Sequence, residues 1–222
     1  MRRNKHRHTT GHPATAEFDE RIIMTHDHAR REGLGEWWNA YRKVFPAAVI
    51  ALFEVEAHAT SARIFSASAF PTPVQEPDYA EAVLRSYGDS FTADKIQHAI
   101  AARAMRRAAY LNGGLEASLI VDASVLRRPA GSDTIMMNQH ARARDLHLSG
   151  RAPSKVMDGF YYGMETSFSL FTVAGDVVAF EDTENELVQV DATRRDKLVT
   201  RFDNYATRAT PLVDHPLLRL PE

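Results

Sequence analysis

The stretch Asp158-Gly159-Phe160-Tyr161-Tyr162-Gly163-Met164-Glu165 carries the densest chemistry in the chain. Two glycines bracket an aromatic cluster, and a carboxylate stands near each end. Such a loop can wall a pocket: the rings supply apolar surface, the phenols of Tyr161 and Tyr162 supply hydrogen-bonding handles, and Asp158 or Glu165 can act as general acid or base. The plainer alternative is a connection whose aromatics plug the edge of the core. His140 and His147 lie on one predicted helix, seven residues and therefore roughly 10.5 Å apart, too far to share a metal easily. His140 alone can serve a pocket as base or donor, with a structural histidine as the alternative. His26-Asp27-His28 can share a metal only if extended, because i and i+2 diverge on a helix. His6, His8 and His12 fall in a basic, polar opening segment, where a solvated tail is the simpler reading.

Cations form a second group. Arg103, Arg106 and Arg107 make a stripe on one predicted helix, and Arg127-Arg128 follow a predicted strand. Guanidinium groups so clustered suit a carboxylate or phosphate ligand, or else a solvated face of ion pairs. The glycine-rich phosphate loop and the Gly-x-Ser-x-Gly elbow are both lacking, so no nucleotide cofactor or serine nucleophile is indicated. The expected cofactor set is none, and no metal is assigned.

Composition bounds the rest. The 222 residues carry 25% charged and 44% hydrophobic side chains, the balance of an ordinary globular chain. The formal net charge of -2 removes the argument for nucleic acid that a generally basic domain would give. The absence of cysteine excludes disulfides, thiolate nucleophiles and cysteine-ligated metals. No apolar run approaches the roughly 20 residues of a membrane span, and the opening segment lacks the apolar stretch of a signal peptide, so a cytoplasmic location is expected.

The elements that must position these residues follow from periodicity. Residues 1–16 read as a His/Arg-rich disordered tail and 17–222 as a single domain. Two or three helices are expected between Ala16 and Ala59, with Pro46 opening one and Trp37, Trp38, Tyr41 and Phe45 giving its predecessor an aromatic face. Ser61–Ser66 reads as a strand. Two prolines keep Phe70–Gln75 irregular. Pro77 opens a helix with Ala80, Val83, Leu84 and Tyr87 in one stripe. A longer helix over Thr92–Leu111 stops at Asn112-Gly113-Gly114. Leu115–Val121 reads as a buried strand, and Ser132 as the N-cap of a helix reaching Leu148. Short strands follow at Lys155–Met157, Ser167–Val173, Val177–Glu181 and Leu187–Val190, with a hairpin turn at Gly175-Asp176. Asp191 caps a closing helix with Leu198, Phe202, Tyr205 and Ala209 on one face. The predicted class is α+β: N-terminal helices, then a small, mostly antiparallel sheet packed by helices.

Two stretches resemble a known family. Leu52-Phe53-Glu54-Val55-Glu56-Ala57, continuing to Pro71-Thr72-Pro73-Val74-Gln75 and Tyr79-Ala80, is similar to "LExxA … PGLLQTxxYA". Val121-Asp122-Ala123-Ser124-Val125-Leu126-Arg127-Arg128-Pro129-Ala130-Gly131, followed by Gln139, is similar to "LDExxLRRPVGG … Q". These patterns belong to the C-terminal, non-DNA-binding domain of WhiJ-like, Xre-type actinobacterial helix-turn-helix regulators, and the resemblance covers about residues 37–211. It implies a domain that senses a ligand or binds a partner protein. The short polar segment before Trp37 is not expected to supply the DNA-reading half, so no direct DNA binding is carried over. Departures fall at Thr72-Pro73, at Ala123, at His140 where an apolar residue is usual, and at Asp158-Gly159.

If the departing segments meet in space, they build a more polar pocket than the family norm, with Gln75, Tyr161, Tyr162, Arg103, Arg127 and Trp38 as ligand-binding candidates. The resulting expectation is a stand-alone, sensor-like domain for a small molecule, with a homodimer or protein partner left open and no membrane partner. The alternative is a small cofactor-free acid–base enzyme of secondary metabolism, a cyclase, isomerase or hydrolase, using Asp158, Glu165, His140 and Tyr162. Whether the chain is an enzyme is left open at this point.

Overall fold

The computed structural model describes residues 36–111, 114–183 and 186–218. The opening tail, His26-Asp27-His28, the helices expected before Trp37 and Asn112-Gly113 of the expected stop signal lie outside these residues.

The fold is α+β. A seven-stranded sheet has the order β6-β5-β4-β1-β2-β3-β7. Its strands are β1 (Ser61–Ser66), β2 (Glu116–Asp122), β3 (Ser154–Met157), β4 (Ser167–Val173), β5 (Asp176–Asp182), β6 (Leu187–Gln189) and β7 (Thr210–Pro211). The helices are α1 (Ala47–His58), α2 (Pro77–Arg85), α3 (Ala93–Leu111), α4 (Ala123–Arg127), α5 (Asp133–Leu148) and α6 (Ala192–Arg208). Most pairings are antiparallel, as expected, but β1, β2 and β3 run parallel at the centre. Parallel neighbours require long crossovers; α2 and α3 make the first, α4 and α5 the second. Strand β1 is therefore the seam of the sheet, parallel to β2 and antiparallel to β4.

Side-chain alternation along these strands splits the core in two. Ala62 and Ile64 of β1, Leu119 and Val121 of β2 and Phe180 of β5 join the larger core under the first five helices. Phe65, Ile120, Phe168 and Ala179 point the other way, onto Leu198, Phe202 and Tyr205 of α6. Those three residues of α6 recur at i, i+4 and i+7, so one stripe of the helix is apolar and the rest is left to solvent.

Local signals act where expected at most helix ends. Ser132 Oγ accepts from Ile135 N (3.4 Å), and Asp191 Oδ1 accepts from Arg194 N (2.8 Å). The aromatic segment before Pro46 is only a 3-10 turn, Trp37–Tyr41, rather than an α-helix. Its rings pack on Phe53 of α1, with centroids 5.1 Å apart for Trp37, and tertiary packing rather than helix length holds it. The α2 stripe ends one turn early. Ala80 and Leu84 are buried, while Tyr87, past the end of the helix, is 57% exposed.

The short helix α4 went unseen in the sequence, because five residues give no readable period. Its N-cap is Asp122, the acidic residue of the "LDE"-like motif. Asp122 Oδ1 accepts from Ser124 N (2.8 Å), and Oδ2 accepts from the buried Tyr161 phenol. Replacing Asp122 with Ala removes the cap and leaves the Tyr161 hydroxyl buried without its acceptor. A loss of about 2–4 kcal/mol is expected in urea unfolding, with Asp122→Asn recovering part of it.

Candidate functional site

The loop after β1 is where the sequence departs most from regular structure, and it is held by side chains rather than by a ladder. Pro71 and Pro73 set a 3-10 turn over Thr72–Val74. Gln75 Nε2 donates to the Phe70 carbonyl (2.6 Å), and the Phe70 amide donates to Tyr79 Oη (3.2 Å). From α3, Arg103 Nε donates to Gln75 Oε1 (3.1 Å) and Arg107 Nη1 to the Gln75 carbonyl (3.1 Å). From α5, fully buried Gln139 bridges the next peptide. It donates to the Val74 carbonyl (2.8 Å) and accepts from Glu76 N (2.8 Å). Both glutamines of the family-like motifs are thus spent on backbone groups that the prolines leave without regular partners.

This loop walls a cleft of about 170 Å3 at the carboxyl end of β1. Ser66 and Ser68 to Thr72 follow from β1, Ser167 to Ser169 come from the start of β4, and Asp182 from the end of β5. Arg103 and Arg106 enter from α3, and Leu52, Ile64, Val83, Phe180 and Leu187 give it an apolar side. In sheets with parallel strands, ligands gather outside the carboxyl ends, where the strand order changes direction; β1 is that seam.

The two arginines differ in electrostatics. Arg106 is neutralised: it grips Glu56 through Nε (2.5 Å) and Nη2 (3.1 Å), and Tyr110 Oη donates to the same carboxylate (2.6 Å). Burial alone would lower the Arg106 pKa, but the charge and hydrogen bonds of Glu56 outweigh it, and the net shift is upward. Tyr110 is pushed well above its ordinary value by burial and by Glu56. Arg103 has no carboxylate among the described residues. Its bonds go to the Gln75 amide and, at 3.4 Å, to the Ala99 carbonyl. Burial, and then Arg106 nearby, lower its pKa to about 10, so it remains a cation at neutral pH. Asp182 stands at the rim, and desolvation raises its carboxyl above the usual range.

The sequence candidates do not all meet here. Gln75 and Arg103 share the cleft. Trp38 is a core residue, packed edge-on against His58 at 5.5 Å. Arg127 is exposed at the end of α4. His140, on α5, lies outside the cleft; its Nε2 donates to the Leu126 carbonyl (3.1 Å) and its ring meets Phe70 at 5.8 Å.

The Asp158–Glu165 loop lies across the sheet, against α6. Tyr161 is buried there between Phe65 and Tyr205, and its pKa is raised by burial and by Asp122. Tyr162 is 84% exposed, with Arg201 of α6 over its ring at 5.4 Å. The loop turns through Gly163 at φ +80°, where a Cβ would sit 2.7 Å from Arg201 Nη1, so only glycine fits without displacement. Asp158 and Glu165 are both exposed. The structure therefore does not bring Gln75, His140 and Tyr162 into one pocket, nor Asp158, Glu165, His140 and Tyr162 into one acid–base site.

His140 has a consequence for pH. Burial, and then the proximity of His215, lower its pKa, while the bond to Leu126 raises it. His215 is lowered as well, by burial and then by Arg127. The unfolded chain therefore binds protons that the folded chain resists. Stability is full above the unfolded value of ~6.5 and falls as pH drops through the folded values. Melting curves between pH 7.5 and 5 are expected to show this decline, and His140→Gln to flatten it.

Among the described residues, no helix is long and apolar enough to cross a membrane. No curated protein and no solved structure matches the chain. One family does, described as a domain of unknown function, DUF5753, over residues 49–214, which take in the cleft, the Pro71–Gln75 loop and all seven strands of the sheet. The chain belongs to the DUF5753 family.

Proposed function

We propose that this domain binds a small anionic metabolite in the cleft at the end of β1 and acts as the ligand-sensing part of a regulator. The observation that carries the proposal is Arg103: a half-buried cation, without a carboxylate among the described residues, lining a cleft with Gln75. A buried charge is costly unless it is compensated, and a ligand carboxylate can compensate it with charge-assisted hydrogen bonds. The cleft is smaller than the ~300–1,000 Å3 usual for drug-sized ligands, which favours a compact polar molecule.

The resemblance to the sensing domain of WhiJ-like, Xre-type actinobacterial regulators supports a sensor over a free-standing catalyst. None of the candidate acids and bases Asp158, Glu165, His140 and Tyr162 lines the cleft, which supports it too. In such a sensor, occupancy is read through the Pro71–Gln75 loop, which α3 and α5 grip from either side. An actinobacterial setting follows from the same resemblance.

The test is a thermal-shift screen of the full chain against mono- and dicarboxylate metabolites. A ligand at about 100 times its Kd stabilises by about 2.7 kcal/mol, or roughly 5–10 °C for a domain of this size. At least one carboxylate is expected to reach that range. A flat response across the panel contradicts the proposal.

A further inference from the structure

The cleft holds a second charge that the anionic-ligand reading does not use. Asp182, the last residue of β5, lines the same cleft as Arg103 and is likewise without a partner of opposite charge among the described residues. The two charges do not pair with each other. The carboxylate of Glu56 is taken by Arg106 and Tyr110, so the cleft presents one uncompensated cation and one uncompensated anion.

We infer that the cleft takes a zwitterion, an α-amino acid, with its carboxylate on Arg103 and its ammonium on Asp182. This rests on the binding reading above and narrows it. A simple carboxylate satisfies Arg103 but makes no use of Asp182, which stands exposed at the rim of the cleft, and a dicarboxylate sets its second charge against Asp182. A ligand bearing both charges compensates both groups at once.

The remaining walls agree. Ser66 and Ser169 offer hydroxyls that donate or accept, and Val83 and Leu187 offer apolar surface to a side chain. A volume of about 170 Å3 is on the order of a dozen water-sized spheres, enough for one amino acid. Desolvation at Asp182 raises its carboxyl, the direction an incoming ammonium reverses.

Calorimetric titration of the full chain tests this with the twenty proteinogenic amino acids. Selected members are paired with des-amino analogues: phenylalanine with 3-phenylpropionate, leucine with 4-methylpentanoate, glutamine with 4-carbamoylbutanoate. At least one amino acid is expected to bind tenfold or more tightly than its analogue. Asp182→Asn should abolish that preference without weakening binding of the analogue. Asp182→Ser should behave alike, and an unchanged melting temperature without ligand will show that both variants fold. Analogues that bind as tightly as their amino acids, or a preference that survives both substitutions, overturn the inference while the anionic-ligand reading stands. If no amino acid and no analogue binds, the inference falls; if the wider carboxylate panel also fails, the reading beneath it falls too.

Discussion

Replacing Glu56 with Ala is expected to cost about 3–5 kcal/mol, the range for breaking a buried ion pair by deleting one partner. Glu56 is 3% exposed and is the shared acceptor of Arg106 and Tyr110. Without it, a buried guanidinium and a buried phenol lose their acceptor together. The melting temperature should fall by on the order of 10 °C or more. The destabilisation belongs to the orphaned Arg106, so a double variant, Glu56→Leu with Arg106→Leu, should recover much of the loss. Urea unfolding of the three proteins checks both statements. A single-variant cost below about 1 kcal/mol would mean that Arg106 reaches water when Glu56 is gone.

The second large effect is on binding. Arg103→Met is expected to weaken the best carboxylate or amino-acid ligand by roughly 30-fold to several thousand-fold, the ~2–5 kcal/mol that truncating one side of a buried charged contact removes. The variant also frees Gln75 Oε1, so a stability loss of about 1 kcal/mol accompanies it. Arg103→Lys separates the two consequences. It keeps the charge but loses the planar fork, so it should retain part of the affinity. Calorimetry on wild type and both variants reads the order wild type, Lys, Met. Equal affinity in all three would place the ligand elsewhere.

The fold was more legible in the sequence than the site. Strand alternation at Ser61–Ser66 and Ser167–Val173, the Ser132 and Asp191 caps and the stripe Leu198, Phe202, Tyr205 are local signals, and local physics fixes them. The parallel pairing of β1, β2 and β3 is not local; it depends on which helices cross which face. The site fails to show for the same reason. Asp182 and Ser66 are unremarkable residues at strand ends, joined to Arg103 only by the register of β1, β4 and β5.

Conversely, the most eye-catching stretch, Asp158–Glu165, looked like a pocket because its composition suits one. Tyr161 is instead the plug of the α6 core, and its neighbours Phe160 and Tyr162 stand 88% and 84% exposed. The motif-like glutamines and Asp122 were visible from sequence, but as positions rather than roles. The structure makes them staples and a cap.

Hydrogen–deuterium exchange with and without the amino acid or carboxylate that gives the largest thermal shift tests the central claim most directly. The cleft predicts added protection in Phe70–Gln75, around Arg103 on α3 and at the ends of β1 and β5, with the far face of the sheet unchanged. Protection confined to Asp158–Glu165 and α6 would contradict it and put the ligand on the aromatic loop instead.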